Sequence, residues 1–104
     1  MEYIGKKTRK IDEKTRLVLP IQWREKNTSL VLVKETEWTL CPQAFWKKKM
    51  QKLKNDTEKV TLAEKSYQTK IDDSGRVQLP KEFTWKSIEL IGVIDYIIIK
   101  ESTA

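Results

Sequence analysis

The sequence predicts an α+β fold, mostly β, in which two tandem repeats share one core. Three observations carry that expectation. An eleven-residue sentence is written twice: KIDEKTRLVLP at Lys10–Pro20 returns as KIDDSGRVQLP at Lys70–Pro80, with Lys, Ile, Asp, Arg, Leu and Pro in register. The likeness continues downstream, where SLVLVKETEWTLCP (Ser29–Pro42) aligns with SIELIGVIDYIIIK (Ser87–Lys100) and places Glu37 on Asp95 and Trp38 on Tyr96. Finally, 104 residues suffice for one domain and hardly for two, so the repeats must bury their apolar faces together or against a partner chain.

Each element has a local reason. TRKI and YQTKI carry β-branched and aromatic residues that suit strands. DEKT and DDSG are turns: Asp and Ser bond nearby backbone, and Gly75 tolerates positive φ. RLVLP and RVQLP alternate apolar with other residues and are stopped by proline, as half-buried strands are. IQWREKN (Ile21–Asn27) and KEFTWKS read as single helical turns or loops. SLVLV, IELI, TLCP and IIIK are strands, and KETEW and GVIDY turn the chain between them. Pro42 suits a first helical position, and Trp46, Met50 and Leu53 recur at helical spacing as a core-facing stripe. Lys47, Lys48, Lys49, Lys52 and Lys54 take the other faces, as a solvated surface or a phosphate or subunit contact. NDTEKVTLAEKS reads as a linker with little structure. The chain thus divides into repeat one (3–42), a linking helix and linker (43–66) and repeat two (67–101), all in one pseudo-symmetric domain.

Composition bounds the partners. Charged residues make up 35% of the chain and apolar ones 38%, which points to a modest monomeric core. Lys and Arg outnumber Asp and Glu by 21 to 15, a net +6 that favours polyanionic partners. The excess is local: residues 1–60 carry 15 basic and 8 acidic groups, whereas residues 61–104 carry 6 and 7. A single cysteine, Cys41, forms no intrachain disulfide and fits a reducing compartment. No stretch has the length of a membrane span, and MEYIGKKTRK lacks an apolar signal core. A soluble cytoplasmic protein is expected.

Catalysis finds no support in these residues. The pairs Asp12–Glu13 and Asp72–Asp73 are adjacent in turns and diverge instead of converging on a substrate. Cys41 has no histidine partner, since the chain has none, and reads as a buried small apolar residue. One cysteine cannot build a zinc site, and three glycines make no phosphate loop. No cofactor, metal or small-molecule substrate is expected.

The repeated Asp-x-x-x-Arg carries the functional reading. Asp12 and Asp72 cap their turns, and Arg16 and Arg76 leave the turns at the start of the next strand. Two such hairpins side by side would hold two guanidinium forks, which can bond phosphate or the O6/N7 edge of guanine in bidentate fashion. Lys6, Lys7, Arg9, Lys10 and Lys14 surround Arg16 and Lys70 stands near Arg76, suited to phosphate contacts.

These residues resemble the MraZ proteins of bacteria, which consist of two copies of the SpoVT/AbrB-type swapped-hairpin element. The family's DxKGRLxLP, followed by an aromatic and Arg-Glu, is matched by DEKTRLVLP with Trp23, Arg24 and Glu25. Its second-repeat GRxxLP matches Gly75–Pro80 and its LxGVxD matches LIGVID. Thr15 stands where the family has Gly, and Thr84 where the second repeat has Arg. The resemblance implies a swapped-hairpin β-barrel with one helix after the first repeat. It also implies a DNA-binding transcriptional regulator, assembled into homo-oligomeric rings, that recognises short repeated operator sites. Carried over residue by residue, it makes Arg16 and Arg76 the main DNA contacts, with Lys10, Lys14 and Lys70 beside them. The rival readings are an antitoxin-like protein-binding module, against which the short C-terminal IIIKESTA argues, and a ring-forming assembly protein that reads no sequence.

Overall fold

A computed structural model describes residues 2–25 and 28–102. Ten elements follow in order: β1 (Tyr3–Lys10), β2 (Arg16–Val18), β3 (Ser29–Lys34), β4 (Trp38–Pro42), α1 (Gln43–Lys52), α2 (Asp56–Glu64), β5 (Ser66–Lys70), β6 (Arg76–Gln78), β7 (Ser87–Ile94) and β8 (Tyr96–Glu101). The fold is α+β and mostly β, as expected. Of the Ile21–Asn27 loop, Ile21–Trp23 forms one 3-10 turn, and Lys26 and Asn27 lie outside the described residues.

Six strands form one antiparallel sheet in the order β1-β7-β8-β4-β3-β5, while β2 and β6 pair with each other as a separate ribbon, with Val77 of β6 also bridged to Ile71. The order reads the same from both ends once β1 is exchanged with β5, β3 with β7 and β4 with β8. The first strand of each repeat therefore lies against the hairpin of the other. Register obeys the same relation: Lys10 faces Ser87 across β1–β7, and its repeat mate Lys70 faces Ser29 across β5–β3. The two halves are interleaved and cannot be cut apart without breaking both edges of the sheet.

The relation slips by one residue in the second hairpin. Lys34 pairs with Trp38 around a three-residue loop, but its counterpart Gly92 pairs with Ile97, because Val93 and Tyr96 add one more pair before the turn. Trp38 therefore corresponds to Ile97 and not to Tyr96. Burial agrees, since a one-residue shift turns every side chain to the opposite face: Trp38 and Ile97 are both buried in the core, and Tyr96 is only half-buried.

The core draws on both repeats in matched pairs: Leu17 with Val77, Leu19 with Leu79, Trp23 with Phe83, Leu30 with Ile88, Leu32 with Leu90, and Leu40 with Ile99. It is larger than bulk composition suggested, because the aliphatic residues are concentrated at alternating inner positions of β3, β4, β7 and β8. Rings close it, with Trp38 and Phe83 centroids 5.5 Å apart and Phe83 edge-on to Trp85 at 5.4 Å.

A second cluster covers the outer face of β3 and β4. Phe45, Trp46, Met50 and Leu53 pack on Val31, Val33, Cys41 and Leu62. The stripe expected on α1 is thus an apolar face, with Pro42 as the N-cap and Gln43 the first helical residue. Burial pushes the Cys41 thiol up to about 11, which keeps it protonated and unreactive. Two helices follow the first repeat, not one. The segment taken for a linker is α2, and its start is built by Asn55, whose Oδ1 accepts the Glu58 N–H at 2.8 Å, with Asp56 and Glu58 favourably placed on the first turn. Trp46 ties α1 to the start of β5, its Nε1 donating to Ser66 Oγ at 2.9 Å. No helix among the described residues is long and apolar enough to cross a membrane.

Candidate nucleic-acid interface

The two Asp-x-x-x-Arg turns share the same three bonds to the Asp carboxylate. In the first, Asp12 Oδ1 accepts the N–H groups of Lys14 at 2.9 Å and Arg16 at 2.8 Å, and Asp12 Oδ2 accepts Arg16 Nε at 2.8 Å. In the second, Asp72 Oδ1 accepts Ser74 at 2.9 Å and Arg76 at 2.8 Å, and Asp72 Oδ2 accepts Arg76 Nε at 3.1 Å. One carboxylate thus closes the turn and orients the arginine that leaves it. The Asp takes only Nε in each case; in the second turn Arg76 Nη2 also donates to Ser74 Oγ at 3.5 Å. Arg16 keeps 25% of its side chain exposed and Arg76 36%.

Both carboxyls sit below their ordinary value of 3.8. For Asp12, desolvation pulls upward but is outweighed by the Arg16 and Lys14 hydrogen bonds; for Asp72, the Arg76 N–H leads and prevails over desolvation. A depressed folded value gives stability that is present above 3.8 and lost as pH falls through the folded value. Thermal stability is therefore expected to drop as pH falls below 3.8, and less steeply in the Asp12→Asn/Asp72→Asn double variant, which has neither group to titrate. Melting temperatures of both proteins between pH 2 and 6 check this; parallel curves would show that these turns do not matter to acid stability.

The turns are locked to each other across the ribbon. The Leu19 N–H donates to Gly75 O at 2.9 Å, and the Leu79 N–H to Thr15 O at 3.0 Å. Between them, β2 and β6 pair Arg16 with Gln78, Leu17 with Val77 and Val18 with Arg76. Leu17 and Val77 point into the core, so alternation puts Arg16, Val18, Arg76 and Gln78 together on the outward face. Arg16 and Arg76 are diagonal neighbours there, about 7–8 Å apart at the backbone.

Other residues named from the sequence are placed less uniformly. Lys14 is exposed in the first turn, at the position that Ser74 takes in the second. Arg9 reaches the ribbon, donating from Nε to Val18 O at 3.3 Å and from Nη1 to Thr8 O at 2.9 Å. Its counterpart Thr69 makes the matching bond to Gln78 O at 3.0 Å. Lys7, two residues before Arg9, shares its side of β1, with Tyr67 as its counterpart. Lys10 and Lys70 end β1 and β5 and are exposed, but the pleat turns them to the opposite side from Arg9 and Thr69. They are not gathered with the two arginines on the ribbon face. The lysines of α1 lie elsewhere: Lys49 is ion-paired with Glu35, and Lys48, Lys49 and Lys52 line a cavity of about 740 Å³ with Phe45, Tyr96 and Asp95.

Sequence reasoning missed three residues that shape this face. Gln78 Nε2 lies within bonding distance of Lys14 O at 2.9 Å, Thr15 O at 3.2 Å and Leu79 O at 3.0 Å, and so braces the first turn, where Thr15 adopts φ +59° without glycine's freedom. Arg24 donates from Nε to Leu19 O at 2.8 Å and lies over Gly75, where any Cβ would come within 2.3 Å of its guanidinium. Val18 completes the outward face with 38% exposure. The signal for Gln78 and Val18 was alternation, since each stands two residues from an arginine in the same three-residue strand or directly opposite one. Among the described residues, no cluster of three or more metal-ligating side chains occurs. Comparison with family models and with curated proteins gave no match.

Proposed function

We propose that this chain is a sequence-specific DNA-binding transcriptional regulator of the MraZ/AbrB type, a bacterial class, with the swapped-hairpin fold. The observation that carries the reading is the β2–β6 ribbon, which displays Arg16 and Arg76 on one outward face. A two-stranded ribbon is narrow enough for the major groove of B-DNA, where an arginine fork can bond guanine O6 and N7. The exchange of β1 and β5 between repeats supports the fold assignment, and the +6 charge supports a polyanionic partner. Arg16 and Arg76 read bases; Lys7, Arg9 and Lys14 hold phosphates on one flank, and Lys10 and Lys70 act further out.

The test is retention of duplex DNA by the purified chain. Affinity is expected to fall steeply with salt, in proportion to the phosphates neutralised. Arg16→Ala and Arg76→Ala are each expected to lower specific affinity by about tenfold or more, a bidentate base contact being worth about 1–3 kcal/mol, while circular dichroism and melting stay near the parent's. Variants that bind a selected duplex like the parent would remove both residues from the site. Equal affinity for all duplexes would favour an assembly protein without sequence readout.

Self-association belongs to the same proposal. The outer face of β3–β4 is covered by α1 and α2, whereas the corresponding face of β7–β8 leaves Ile91, Val93 and Ile98 only half-buried, beside Ile4 at 68% exposure. A second copy is the occupant this reading assigns to that face. Solution mass measured for the parent and for Ile4→Lys/Ile98→Lys tests it.

A further inference from the structure

We propose that Val18 takes the methyl group of a thymine, and that this contact fixes the direction in which the chain lies on its DNA. The inference rests on the DNA-binding reading above and deepens it. The argument starts from symmetry. The outward face of the ribbon is a square of four side chains: Arg16 opposite Gln78, and Val18 opposite Arg76. Exchange of the two repeats maps one arginine onto the other, so the arginines alone would read a site and its reversed complement equally well. The other diagonal breaks that equivalence, because Val18 and Gln78 occupy matching positions and have opposite chemistry.

Their surroundings make the difference usable. Gln78 is turned back on the protein, its Nε2 bonded to the carbonyls of the first turn, so it has no amide donor left for a base. Val18 is an apolar side chain held out on an otherwise polar face. Its backbone carbonyl is held by Arg9 Nε, alternation turns its side chain away from the core, and β-branching leaves that side chain little rotamer freedom. In the major groove the one apolar group presented by the bases is the thymine C5-methyl, and small apolar side chains are its natural partners. Val18 stands directly across from Arg76, so the thymine lies within one or two base-pair steps of the guanine that Arg76 holds. The flanks reinforce the polarity: Lys14, Arg9 and Lys7 on the first side correspond to Ser74, Thr69 and Tyr67 on the second.

The experiment selects duplexes from a random library with the full chain, then replaces each thymine of the enriched site by uracil, which removes only the methyl. At one thymine, uracil is expected to weaken binding about three- to tenfold, in line with losing one buried methyl contact. Val18→Ala is expected to bind the thymine and uracil duplexes alike. Val18→Gln makes the square chemically symmetric, and its selected site is expected to become more palindromic. Both variants alter an exposed side chain and keep the Arg9 bond, which goes to the backbone; melting curves confirm that they fold. If uracil is tolerated at every position, or if Val18→Ala retains the penalty, the assignment of Val18 is overturned while DNA recognition stands. If no duplex is enriched over bulk, the DNA-binding reading falls, and the role of Val18 with it.

Discussion

Gly75→Ala is expected to destabilise the protein by about 2–4 kcal/mol, and Arg24→Thr in the same chain to recover part of that loss. Two effects combine in the single variant. Gly75 sits at φ +79°, a conformation that costs an L-residue about 1–2 kcal/mol. The new Cβ would also meet Arg24 at 2.3 Å and drive the guanidinium off Leu19 O, a charged hydrogen bond of about 1.5–3 kcal/mol. The first turn shows how the chain solves the same problem without glycine. There the matching residue is Thr15 at φ +59°, and the position that corresponds to Arg24 is the short Thr84. The variant Gly75→Ala/Arg24→Thr copies that arrangement into the second turn. Denaturant unfolding of the parent, both single variants and the double variant is expected to give a coupling of about 1–2 kcal/mol. Strictly additive losses would mean that Arg24 yields freely and that the packing over Gly75 has no weight.

Leu17→Ala is expected to cost about 2–5 kcal/mol, the range for a leucine whose removal leaves a cavity. Leu17 and Val77 are both fully buried and face each other at the middle of a ribbon only three residues long on each side. No neighbouring pair in the ribbon can take over that burial, since the flanking pairs point outward. Val18→Ala, one residue further along the same strand, is expected to change stability by no more than about 0.5 kcal/mol. The contrast in unfolding midpoints between two adjacent residues checks the inward–outward alternation on which the arginine placement depends. Similar losses at both positions would contradict it.

The duplicated motif made the strands and both turns legible, because Asp, Arg and Pro at fixed spacing have few other physical explanations. It also placed Arg16 and Arg76 on matching hairpins. The pairing of β1 with β7 was not legible: its residues are separated by most of the chain, and no local pattern in Tyr3–Lys10 names a partner. The helix α2 was missed because Leu62 is its one buried residue, so no apolar stripe announced it. Asn55 followed three residues later by Glu58 was the cue available, a capping signal that does not depend on amphipathicity. The alignment of Trp38 with Tyr96 was drawn by aromatic likeness, and one extra residue in the second hairpin defeated it. Lys10 and Lys70 were placed with the arginines by nearness in sequence, which the alternation of a strand does not respect.

The exchange of first strands sets a condition on how the chain can be made. Tyr3 must wait for Ile94, and a ribosome adding roughly 5–20 residues per second delivers the partner only seconds later. Until then the amino-terminal strand has an unpaired edge, open to the same segment of a neighbouring nascent chain. The architecture favours folding after synthesis is nearly finished, and at high expression it exposes newborn chains to trading arms with one another.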